Sequence, residues 1–157
     1  MEKNLRIQTY YESKEWTLSP APNMDKRTEK IREIFENSWN ETIKMYDDLL
    51  SYDQWKFLAE LRCFLDELQN SGFNNEFRIG TSVNRLIFSR SVDHGLRVDQ
   101  KQILIEPYSN GKYDIKFFDF SSPGDVIRIY DEFTTDKLTG NKRLLNNLNK
   151  LRNTLVD

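Results

Sequence analysis

The sequence predicts an α+β domain, and three observations carry that expectation. Apolar residues recur at spacings of three and four through residues 25–70, switch to a spacing of two from Phe77, and return to three and four near the C-terminus. Single turn-forming residues sit at element ends, Gly72 and Gly111 among them. With 157 residues and 13% aromatic content, the chain has enough apolar surface for one core of its own. The predicted architecture is an N-terminal helical hairpin, an antiparallel meander of about four strands, and two C-terminal helices packed on one face of the sheet.

Residues 1–24 read as an arm ahead of a single domain spanning 25–157. Leu5, Ile7 and Thr9 alternate with polar residues, SPAPN at 19–23 breaks regular structure, and Trp16 with Tyr10 and Tyr11 suggests packing on the body. A first helix is expected over 25–50, with Ile31, Phe35, Ser38, Thr42, Met45 and Leu49 as its buried stripe, widened by Ile34, Tyr46 and Leu50. Ser51 and Gln54 offer a capping box for a second helix, whose buried side would carry Trp55, Leu58, Leu61, Leu65 and Leu68. Gly72 supplies its exit.

Strands are expected at 77–83, 85–89, 102–106 and 113–120. In the first, Phe77, Ile79, Thr81 and Val83 would share one side. A three-residue loop at Ser109-Asn110-Gly111, with Gly111 left-handed, sets Ile105 opposite Ile115 and Ile103 opposite Phe117. A two-residue loop would set them against Lys116 and Phe118, so the apolar match selects the longer one. In SSPGD, Ser122 as N-cap and Pro123 at the first helical position signal a helix. Its face would be Val126, Ile129, Tyr130 and Phe133. A last helix from about Asn141 would dock Leu144, Leu148, Leu151 and Leu155.

Composition narrows the chemistry. The 23 basic and 25 acidic residues give a net charge of −2, without the basic excess of a dedicated DNA-binding module. A single cysteine, Cys63, allows neither an internal disulfide nor a cysteine-based zinc site, and its place between Arg62 and Phe64 reads as a buried thiol. No signal-peptide-like or membrane-spanning apolar run is present, so a cytoplasmic setting is expected and no membrane partner. The six glycines are scattered singly and build no phosphate loop.

The stretch RLIFSRSVDHGLRVDQKQILIE, residues 85–106, holds the sole histidine, His94, near Ser89, Ser91, Asp93 and Arg97. A serine–histidine–acid mechanism needs a base oriented by an acid. Asp93 is the immediate neighbour of His94, which in extended chain points it away, and no G-x-S-x-G elbow exposes a serine. The dozen residues between the two strands therefore read as a polar connector, of a length that often serves binding. A metal-dependent nuclease would want an acid-x-Lys triplet beside another acid. Asp114-Ile115-Lys116 has that form, with Asp99 or Glu106 as the further acid, and a strand with one polar face produces the same pattern.

Arg78, Arg85, Arg90 and Arg97 interleave with Phe88, Tyr108, Tyr113 and Phe118, a composition that can hold single-stranded nucleic acid. Residues 71–124 nevertheless hold 7 basic and 6 acidic groups, a net of +1. By elimination the sequence favours a non-catalytic domain that binds another protein, of the kind of a small inhibitor or immunity protein neutralising a toxin or enzyme. Its expected contact residues are Arg90, Asp93, His94, Arg97 and Tyr108, with no cofactor and no metal. A single-stranded nucleic-acid binder or a small hydrolase or nuclease is the alternative.

Overall fold

The computed structural model describes residues 25–92, 99–120 and 126–156. A long helix, α1 (Lys26–Leu50), leads through a 3-10 turn (Asp53–Leu58) into α2 (Ala59–Asn70). Five strands follow: β1 (Arg78–Ser82), β2 (Arg85–Ser89), β3 (Gln102–Pro107), β4 (Tyr113–Asp119) and β5 (Arg128–Thr135). The chain closes on α3 (Lys142–Arg152). The strands form one antiparallel sheet in the order β1-β2-β3-β4-β5. The α+β reading holds. Among the described residues there are five strands where about four were expected, and one C-terminal helix where two were.

Asp25 caps α1, its carboxylate accepting from the Arg27 and Thr28 amides at 3.0 Å. The buried stripe is Phe35, Ser38, Trp39, Thr42 and Tyr46, so Trp39 belongs to the face the sequence spacing drew without it. This face lies along β1. The Trp39 indole N–H donates to the Phe77 carbonyl at 2.9 Å, the Ile79 amide donates to Ser38 Oγ at 3.1 Å, and the Tyr46 hydroxyl donates to the Asn84 carbonyl at 3.2 Å. Edge-strand groups that would otherwise recruit another strand are thus satisfied by a helix.

Ser51 does not cap the second helix. It ends α1 instead, its Oγ donating to the Asp48 carbonyl at 2.6 Å, while Tyr52 in extended conformation starts the 3-10 turn. A hydroxyl can serve either neighbour, and here it satisfies the carbonyls that α1 leaves without partners. Gly72 takes a left-handed φ of 84° at the exit of α2, as expected. Cys63 is exposed, contrary to the buried reading: Leu61, Phe64, Leu65 and Leu68 face the core and position 63 falls between them on the solvent side.

The β3–β4 hairpin has the predicted register, Ile105 opposite Ile115 and Ile103 opposite Phe117, with Gly111 at φ 80°. In β1, Ile79 is buried with Phe77, but Val83 is not on that face. It sits in the turn, 81% exposed.

The segment Val126–Phe133, expected as a helix, leads into and forms most of strand β5. Ile115 pairs with Phe133 and Phe117 with Asp131, then the register slips by one so that Phe118 pairs with Ile129. The bulge at Tyr130-Asp131 shifts a period-two pattern by one residue, and 126, 129, 130 and 133 then imitate helical spacing. The β-branched and aromatic content of VIRIYDEFTT suits a strand. The Ser122 and Pro123 start signal lies outside the described residues, as does the 1–24 arm.

α3 is capped by Asn141, whose side chain accepts from the Leu144 amide. Leu144, Leu148 and Leu151 are fully buried, whereas Leu155 is 89% exposed beyond the helix end. The core gathers these leucines with Trp39, Tyr46, Leu61, Leu65, Phe88, Ile103, Ile105 and Ile115 between the helices and one sheet face. No described helix is long and apolar enough to cross a membrane.

Candidate functional site

Strand direction separates the sequence-predicted contact residues. β2 ends and β3 begins at one end of the sheet, where the 90–101 connector leaves. The β1–β2 and β3–β4 turns lie at the other end, about 20 Å away along six residues of strand. Arg90 belongs to the first end and Tyr108 to the second. Asp93, His94 and Arg97 lie outside the described residues.

At the connector end, arginines hold backbone. Arg78 Nη1 donates to the Val92 carbonyl at 2.6 Å. Arg90 Nη1 donates to the Glu76 carbonyl at 2.8 Å and approaches the Glu76 carboxylate at 3.4 Å. Burial lowers the pKa of Arg90, Glu76 opposes that shift, and the nearby positive charge of Arg152 adds to it. Ser89 and Ser91 are buried at the root of the connector. A groove of about 660 Å³ runs beside it, between Gln100 and Lys101 on one side and Asn153–Val156 on the other.

At the turn end, polar groups neutralise one another on the sheet face away from the helices. Arg85 donates through Nε and Nη2 to Glu106 Oε1 at 2.9 and 2.7 Å. The Tyr108 hydroxyl donates to Asp114 Oδ2 at 3.0 Å, and Thr134 donates to Asp114 Oδ1 at 2.6 Å. Donation to Asp114 raises the pKa of the Tyr108 phenol. The register sets Glu106 directly opposite Asp114, with Lys116 two residues along and paired to Glu132 at 3.0 Å. The acid-x-Lys triplet therefore does meet a further acid, and each of the three charges already has a partner.

Exposed apolar side chains lie at both ends of the sheet. Val126, Ile127, Ile129 and Tyr130 form one group at the start of β5, with Lys101 Nζ lying 4.8 Å from the Tyr130 ring centroid. Tyr52 follows the end of α1, Leu155 stands alone beyond α3, and Val83 and Tyr108 lie at the two hairpin turns of the other end. Asn84 ties this end together, accepting from Tyr46 at its carbonyl and donating its side-chain amide to the Pro107 carbonyl at 3.4 Å.

Of the contact residues expected from the sequence, Tyr108 is exposed at the turn end, and neither the apolar group at the start of β5 nor the exposure of Val83 emerges from the sequence pattern. Alternation continues across the turn and so sets Val83 on the side of Phe77 and Ile79, and the bulge makes Ile129 share an apparent helical face with Val126, Tyr130 and Phe133. That Val83-Asn84 is a two-residue loop follows from the Ser82–Arg85 pairing, which only the fold supplies.

No protein-family model, curated protein or solved structure matches this chain.

Proposed function

We propose that the protein is a non-catalytic binding domain that acts on another protein, in the manner of a small inhibitor or immunity protein. The observation that carries this reading is the distribution of exposed apolar side chains. Of the eight among the described residues, Val126, Ile127, Ile129 and Tyr130 are consecutive or nearly so around the start of β5, Val83 and Tyr108 lie at the two hairpin turns of the opposite end, and Tyr52 and Leu155 follow the ends of α1 and α3. Aromatic and aliphatic anchors ringed by polar groups are the composition of an interface centre. The helical layer adds a charge preference: residues 25–70 carry 7 basic and 11 acidic groups, a net of −4, which favours a basic partner.

The candidate chemical groups support the same reading. Glu106, Asp114 and Lys116 are each occupied by Arg85, by Tyr108 and Thr134, and by Glu132. Their alignment across β3 and β4 is the specific feature favouring the second reading, a metal-dependent nuclease. Freeing those carboxylates for a cation would cost the charge-assisted bonds that now hold them.

Affinity capture from the source cell, with the recovered protein then purified and titrated against this one, tests the proposal. A stoichiometric complex that survives gel filtration is the expected result. Recovery of nucleic acid alone, or hydrolysis of nucleic acid that the Asp114→Asn variant lacks, overturns it.

A further inference from the structure

We draw no further inference here: the strongest candidate, the exposed apolar surface patch of Val126, Ile127, Ile129 and Tyr130 at the start of β5, carries nothing because nothing in the structure shows what covers it.

Discussion

The indole N–H of Trp39 donates to the main-chain carbonyl of Phe77 at 2.9 Å, joining positions 38 residues apart. This bond sits where α1 meets the start of β1, beside rings of Phe77 and Phe88 packed edge-on at 6.1 Å. Trp39 is fully buried, so its polar atom and its carbonyl partner have no water to turn to. Trp39→Phe removes the donor, orphans the carbonyl and leaves a gap. A loss of about 2–4 kcal/mol is expected in denaturant unfolding. A loss below about 1 kcal/mol would show that the edge contact contributes little.

Asp131 fastens β5 to α3. It accepts from Arg143 and from Asn147 Nδ2, and these bonds, with Arg143 first, hold its pKa down at about 2. A carboxyl with a depressed folded pKa adds stability that is complete above its unfolded value of about 4 and is lost as pH falls through the folded one. Wild type should therefore lose stability between about pH 4 and pH 2 more steeply than Asp131→Asn. Parallel stability curves for the two proteins across that window would remove Asp131 from the account of acid unfolding.

The same residue guards an edge. The Glu132 amide donates to Asp131 Oδ1 at 3.0 Å, and the Glu132 carbonyl receives Arg143. With the bulge beside them, these bonds interrupt the outer edge of β5. Arg143→Ala is expected to increase concentration-dependent association, read by light scattering at fixed temperature. An unchanged scattering profile would assign the protection to the bulge alone.

Arg90 spends burial on local order. Burial disfavours its charge by more than Glu76 restores, and the Glu76 side chain left behind is 42% exposed, so Arg90→Met should change global stability by only about 1 kcal/mol. Locally the effect is larger, because the root of the connector loses its tie. Amide exchange at Ser91 and Val92 is expected to accelerate at least tenfold. Unchanged exchange there would mean that Arg78, through Val92, is the sufficient anchor.

Cys63 is exposed on α2 and should react with a thiol reagent in the native protein, one equivalent without denaturant. Protection until unfolding would restore the buried reading.

What the sequence by itself determined is local or pairwise. The 25-residue reach of α1, the Gly72 exit, the start of the last helix near Asn141 and the β3–β4 register all follow from neighbours within a few positions, where periodicity and turn chemistry act directly. Tyr108 at a hairpin end was legible for the same reason. Tertiary structure decided what depends on groups brought from afar. β5 is a strand because the open side of β4 accepts it and a bulge absorbs the extra residue. Ser51 serves α1 because a 3-10 turn forms next. Arg90 is a tie because Glu76 lies beneath it, and Val83 is a tip because Tyr46 and Pro107 fix the loop it crowns. Each of those outcomes balances a local preference against a partner that only folding supplies, and a one-dimensional pattern does not contain the partner.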